Sequence, residues 1–273
     1  MSNEKGWYKK GIIMIIDTHA HYDDEAFNED RDALLQGMKE AGVEKIVNIG
    51  ADLASTKTTV ELVKQYDFLY GAVGVHPSNV KELNEENFAW LSEQCAKERI
   101  VMVGESGLDY YWDKDNKEEQ IHWFRRQLRL AAEKDLPVSI HSRDAAQDTY
   151  DVMKEEIEAA KSRGQRIRGI LHCYAYGSEM AERFLGLGLY LGIGGVVTFK
   201  NAKKLKEVVA TMPEDRILLE TDCPYLAPEP HRGSRNDSKY LSLVAKQIAE
   251  LRGITSEEVI EITNRNAREL LGI

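Results

Sequence analysis

The stretch Asp17-Thr18-His19-Ala20-His21 ends an apolar run at residues 12–16, and its side chains alternate along an extended chain. His19 and His21 therefore project to one side, where both imidazoles can reach one cation without bending the backbone. Histidine is the commonest metal ligand and is neutral enough at pH 7 to serve. Taken alone, a hydrogen-bonded pair of histidines explains the stretch equally well. What separates the two readings is whether the chain supplies more ligands at equivalent places. It does: Glu105, His141, His172 and Asp222 each fall at the C-terminal end of a predicted strand. Of the seven histidines, only His122 falls inside a helical pattern.

Four imidazoles and two carboxylates exceed the needs of one open catalytic ion, which takes three protein ligands and a water. They suit two divalent ions that share a carboxylate and a water, about 3.5–4 Å apart. Glu105, from the middle of the ligand order, takes the bridging role. His19, His21 and Asp222 complete the first site, and His141 and His172 the second. This donor mix accommodates Zn²⁺, Mn²⁺ or Mg²⁺. Such ions lower the pKa of a shared water. Asp222 is the natural general base beside it, which makes Asp222 and Glu105 the candidate catalytic pair. Asp17 lies deeper on the same side of the strand and fills neither site. It reads as a residue that orients a ligand.

The elements that must position these groups repeat along the chain. Strand patterns cover residues 12–16, 44–50, 68–74, 100–104, 137–140, 167–171, 189–194 and 216–222, with helical patterns between them. The first helix is expected to carry Leu34, Leu35, Met38 and Ala41 on one face and to close at Gly42. Eight strand–helix units at spacings of roughly 20 to 40 residues predict an α/β fold, a (β/α)8 TIM barrel. An open doubly wound sheet competes, but it rarely needs eight even units. In a barrel the strand ends meet at one mouth, the face that carries catalysis.

The composition narrows the function further. The chain has 273 residues, 42% hydrophobic and 30% charged, which fits one soluble globular domain over residues 1–273. A formal charge of −10 excludes a surface that attracts polyanions as a whole, so a nucleic-acid substrate needs a local basic patch or bound cations. Three widely spaced cysteines, Cys95, Cys173 and Cys223, suit reduced thiols in the cytoplasm. No stretch is long and apolar enough to span a membrane. Residues 1–11 read as a solvated, flexible leader. No obligate protein partner is evident.

Several blocks resemble one family. Asp17-Thr18-His19-Ala20-His21, Gly74-Val75-His76-Pro77, Gly104-Glu105-Ser106-Gly107-Leu108-Asp109-Tyr110-Tyr111, His141-Ser142-Arg143-Asp144-Ala145, His172-Cys173-Tyr174 and Glu220-Thr221-Asp222-Cys223-Pro224-Tyr225-Leu226 look, in order and spacing, like the signatures of the TatD-related deoxyribonucleases. Pro230-His231-Arg232-Gly233 and Asn264-Arg265-Asn266-Ala267 extend the resemblance. It implies an amidohydrolase-like barrel with divalent ions that hydrolyses DNA phosphodiesters, often from a 3′ end. Two departures stand out. Ser106 replaces a more usual aliphatic residue and should face away from the metals. Asn236-Asp237-Ser238 replaces a more usual Asn-Glu-Pro, on a loop expected outside the metal surroundings.

Beyond the metal ligands, His76, Arg143, His231 and Arg232 fall on loops near the mouth and are the candidate substrate-binding cations for flanking phosphates. Tyr110, Tyr111, Trp112, Tyr174 and Tyr225 suit either base stacking against single-stranded DNA or packing under loops. Cys173 and Cys223 suit packing. Two other functions use the same scaffold. One is a metal-dependent ester or amide hydrolase, such as a D-aminoacyl-tRNA deacylase. The other is a silent binding module, against which the complete ligand set argues.

Overall fold

The computed structural model describes residues 13–273, so the leader read at residues 1–11 lies outside the described residues. Its eight strands are β1 (Ile15–Ala20), β2 (Val43–Ile49), β3 (Leu69–Val73), β4 (Ile100–Asp109), β5 (Val138–Arg143), β6 (Gly169–Leu171), β7 (Tyr190–Ile193) and β8 (Ile217–Leu219). They are hydrogen-bonded in chain order, and every neighbouring pair is parallel. β6, β7 and β8 are buried at every position, which is why they read as short apolar runs; β1 is buried throughout as well, although Asp17, Thr18 and His19 are polar. Helices α1 (Arg31–Gln36), α2 (Leu53–Gln65), α3 (Glu85–Gln94), α4 (Lys117–Lys134), α5 (Ala146–Ser162), α6 (Ser178–Gly186), α7 (Lys203–Thr211), α8 (Leu241–Arg252) and α9 (Ser256–Leu271) cover the outside. This is the (β/α)8 barrel.

Closure between β1 and β8 rests on little backbone. One bridge, Ala20 to Cys223, joins them among the described residues, with His21 N donating to Cys223 O at 2.8 Å and Asp222 N to His19 O at 2.9 Å. Side chains stitch the rest of the seam. Thr18 Oγ1 donates to Leu219 O at 3.0 Å, and Thr221 Oγ1 to Asp17 Oδ2 at 2.6 Å. From α9, Asn264 accepts from Ile16 N at 3.0 Å and donates to Met14 O at 2.7 Å, while Asn266 donates to Ile217 O at 2.9 Å. These amides satisfy backbone groups that a closed ladder would otherwise pair.

Several elements differ from the expected bounds: β1 runs on through Ala20 and β5 through Arg143, past the expected 12–16 and 137–140. α1 stops at Gln36, and residues 37–42 turn back through Gly42 at φ 85° while Met38 drops into the core. β4 does not end at Gly104; its ladder to β5 continues from Ser106↔Ile140 to Asp109↔Arg143. A register shift between Val103 and Ser106 interrupts that ladder, with Gly104 at φ 125° and only 2.6 Å between its would-be Cβ and Ser139 O. Such an irregularity re-aims a side chain, here Glu105. β8 is three residues long because the chain leaves the ladder before Asp222, whose φ is 57°.

Candidate metal centre

Four donor atoms from three strands enclose the first position. His19 Nε2 and His21 Nε2, from the end of β1, stand 3.1 Å apart. Glu105 Oε2 lies 3.6 and 3.7 Å from them, and Asp222 Oδ1 lies 3.7 and 3.4 Å from them. A tetrahedral ion with bonds near 2.1 Å needs donor separations of about 3.4 Å. The separations among His19, His21 and Glu105 lie near that value, and Asp222 Oδ1 stands at a similar distance from both histidines. His21 Nδ1 meets Ile49 O at 2.9 Å; a carbonyl only accepts, so Nδ1 carries a proton and Nε2 is the nitrogen turned to the centre. His19 Nδ1 pairs with Ser139 Oγ at 3.0 Å on the neighbouring wall.

Glu105 turns its other oxygen to a second group. Its Oε1 lies 2.8 Å from His141 Nδ1 and 2.7 Å from His172 Nε2, and those nitrogens are 3.3 Å apart. Three protein donors leave room for water or substrate, the pattern of a catalytic site. His141 Nε2 faces the Asp109 carboxylate at 3.0 Å, which fixes its proton there and frees Nδ1 for the centre. The rings of His19 and His172 stack at 4.0 Å, so the two groups share a floor.

The electrostatics follow from crowding at low exposure. Burial, with the charge of His172, pushes His19 down to about 4. For His21 burial opposes the charged form, but Asp222 and Glu105 outweigh it and push the imidazole up to about 10. His172 is raised to about 9 against its burial, chiefly by Glu105. The imidazoles in turn hold Glu105 well below the usual carboxylate range, again against burial. Asp222 is held low in the same way, mainly by His21.

Above the donors lies a cavity of about 610 Å³, lined among others by His76, Trp112, Arg143, Asp222, Tyr225 and Leu226. His76 differs from the four inner histidines. Ser78 N donates to its Nδ1 at 3.1 Å, so in the neutral ring Nε2 carries the proton. Burial, with the charge of His141, pushes it down to about 3 and keeps it neutral. Its Nε2, 3.8 Å from Glu105 Oε1, is thus a hydrogen-bond donor at the cavity wall. The Arg143 guanidinium packs over Tyr111 at 4.1 Å and has no carboxylate within ion-pairing distance among the described residues.

The expected positive patch does not assemble whole. His231 stacks on Tyr240 at 4.3 Å and Arg232 lies over Phe199 at 4.2 Å, and neither lines the cavity. The aromatic set divides as well. Tyr110 is buried with its hydroxyl donating to Asp148 at 2.8 Å, and Tyr174 is buried with its hydroxyl donating to Gly177 O at 2.7 Å. Tyr111, Trp112 and Tyr225 are exposed, at 50%, 69% and 54%.

Asp17 grips backbone rather than an imidazole. Its carboxylate accepts from His19 N at 3.2 Å, Thr221 N at 3.1 Å, and the hydroxyls of Thr221 and Ser238, both at 2.6 Å. Burial outweighs these bonds and pushes it up to about 6. Ser238 touches none of the six candidate ligands, but a 3-10 turn at Ser238–Tyr240 brings its hydroxyl to Asp17, two residues before His19. Ser106 is fully buried and its hydroxyl has no protein partner.

The profile described as TatD related DNase matches residues 16–272 of this sequence. The chain belongs to that family. Among TatD-related proteins, the metal-dependent hydrolase YabD of Bacillus subtilis is 45% identical over 260 residues, which is 95% of this chain and 100% of YabD. The 3′-5′ ssDNA/RNA exonuclease TatD of Erwinia amylovora is 32% identical over 253 residues, covering 90% of this chain and 95% of that protein. The crystal structure of YjjV, a TatD homologue from Escherichia coli K12, superposes with a TM-score of 0.88 at 30% identity, covering 96% of this chain and 99% of that one.

Three residues of this TatD-family site escaped the sequence reading: Ser139, Asp109 and Glu220. Each lies two or four positions before or after a ligand, on the same side of the extended chain by parity. That period-two signal was available at Ser139 and His141, Glu105 and Asp109, and Glu220 and Asp222. Asp109 is further tied down by α4, where Gln120 accepts from its backbone N–H at 2.8 Å.

Proposed function

We propose that this TatD-family protein is a divalent-metal-dependent nuclease that releases nucleotides from the 3′ end of single-stranded DNA by hydrolysis. The observation that carries the reading is one cavity. Two donor groups sharing Glu105 form its floor, and the unpaired Arg143 and the Nε2–H of His76 face in from its wall. The name of the Erwinia relative, an exonuclease on single strands, supports the same substrate.

The donor set fits two ions, with His19, His21, Glu105 and Asp222 holding one and Glu105, His141 and His172 the other; Mg²⁺, Mn²⁺ and Zn²⁺ all accept such ligands. When bound, they supply Lewis acidity to a phosphoryl oxygen and acidify water. The remaining work belongs to side chains. Asp222 Oδ1 faces the histidines, while its Oδ2 accepts no hydrogen bond from a described residue and is free to take a proton from the attacking water. His76 donates from Nε2 to a phosphate oxygen. Arg143 clasps a neighbouring phosphate through two N–H groups. Tyr111 and Trp112, edge to face at 4.8 Å, offer π surface to an unpaired base.

No helix among the described residues is long and apolar enough to cross a membrane. The three cysteines are free, which supports a reducing cytoplasm. In this reading the chain works as one catalytic domain and needs no protein partner.

The test is a cleavage assay of chelator-stripped protein, reloaded with Mg²⁺, Mn²⁺ or Zn²⁺, on 3′- and 5′-labelled single strands, RNA and acylated tRNA. Stepwise shortening from the 3′ end, lost in Glu105→Ala and Asp222→Asn, is the expected result. Acyl release with intact DNA would transfer the assignment to the deacylase class.

A further inference from the structure

The two imidazoles of the second group are backed unequally. His141 has the Asp109 carboxylate at hydrogen-bond distance, 3.0 Å. His172 Nδ1 is buried with no hydrogen-bond partner among the described residues. The polar atom facing it is Glu220 Oε1, at 3.8 Å. Glu220 is fully buried just after β8, and its own Oε2 also lacks a hydrogen-bond partner among the described residues. A buried imidazole nitrogen thus faces a buried carboxyl group whose Oε1 is held by Cys173 N–H and whose Oε2 is left over. Leaving that nitrogen and Oε2 unpaired is costly.

The surroundings are built to hold that carboxylate. A Cβ on Gly192 would stand 2.0 Å from Glu220 Oε2 and 2.8 Å from Oε1, so the carboxylate lies directly on the β7 backbone and any side chain there would displace it. The residue after His172, Cys173, adopts φ 46°, a left-handed conformation that costs energy in a non-glycine residue, and its N–H donates to Glu220 Oε1. The backbone beside the ligand and the carboxylate are thereby locked together.

We propose that Glu220 is the positioning residue of His172. It faces the Nδ1–H of that ring and so keeps Nε2, with its lone pair, aimed at the Glu105 side of the centre. This would give both histidines of the second group a carboxylate behind them, and it explains why β7 carries glycine at 192. The inference rests on His172 as a ligand, but it does not depend on which substrate is hydrolysed.

The experiment is calorimetric titration of the stripped full-length protein with Zn²⁺, together with long-range proton–nitrogen spectra of the histidine rings. The wild type should show two binding events and a His172 ring protonated at Nδ1. Glu220→Ala and Gly192→Ala should weaken one event by about 10- to 100-fold, leave the His19/His21 event unchanged, and mix the His172 tautomers. Glu220→Gln keeps an acceptor oxygen and should fall between. Gly192→Ala tests the idea with the carboxylate still present, should Glu220→Ala fold poorly. Unchanged affinities and an unchanged tautomer in folded variants would overturn the proposal. A wild type that takes up one ion only would overturn the two-ion assignment and this inference with it. Normal metal binding without DNA cleavage would sink the nuclease reading and leave the role of Glu220 standing.

Discussion

At the scale of single residues, the site separates binding from chemistry, and the two should fail differently. Asp222→Asn keeps the shape and removes the proton acceptor. It should lower kcat by about 10³-fold with KM little altered, checked by steady-state cleavage of a labelled single strand. Arg143→Ala removes the unpaired guanidinium at the cavity and should raise KM roughly tenfold with kcat nearly unchanged. A fall confined to kcat would take Arg143 out of substrate binding. The six metal-ligand candidates were legible because each falls at the C-terminal end of a predicted strand, and the structure does bring all six together. His231 and Arg232 were not separable from His76 and Arg143 in sequence, since all lie on loops after strands. Only packing on Tyr240 and Phe199 removes them from the cavity.

Elements bring their own ion pairs, and one can be tested by pH. Glu156 on α5 is 2% exposed and accepts from Arg125 Nη1 at 2.9 Å and from Arg129 Nε and Nη2 at 2.8 and 2.7 Å, both arginines being on α4. Burial works to raise its pKa, but the bonds from Arg129 and Arg125 outweigh it and hold the carboxyl below its ordinary 4.5. A depressed folded value means stability that is present above pH 4.5 and lost as pH falls through the folded pKa. Glu156→Gln should therefore cost about 2 kcal/mol at neutral pH, and the gap in urea midpoints should close on acidification. A constant gap down to pH 3 would mean that packing, not charge, joins these helices. Element ends were legible where caps announce them. Thr255 with Glu258, and Gly272 at φ 71°, bound α9. The extension of β4 was not legible, because a ladder that resumes after a shift depends on β5, and nothing local encodes it.

For the whole molecule, charge and metal loading give the remaining expectations. A net charge of −10 with few cations at the cavity implies few phosphate contacts, so the logarithm of single-strand affinity should fall with log salt at a slope near −1 to −2. A slope steeper than about −4 would require a basic surface outside this cavity. Loading the centre should stabilise the fold by about 2.7 kcal/mol at a hundred times the dissociation constant, seen as a chelator-reversible rise in Tm. The barrel itself was legible from the eightfold alternation. The seam between β1 and β8 was not, since Asn264 and Asn266 carry no mark in sequence of which strands they stitch. That seam also has a temporal meaning. Asp17 and Thr221, whose hydrogen bonds help to close it, are 204 positions apart in the chain. A ribosome therefore delivers the first two histidines long before Asp222, and α9 later still. A chain that stops short of Asp222 holds a pair of imidazoles and no catalyst, so hydrolytic power waits on the last ligand to emerge.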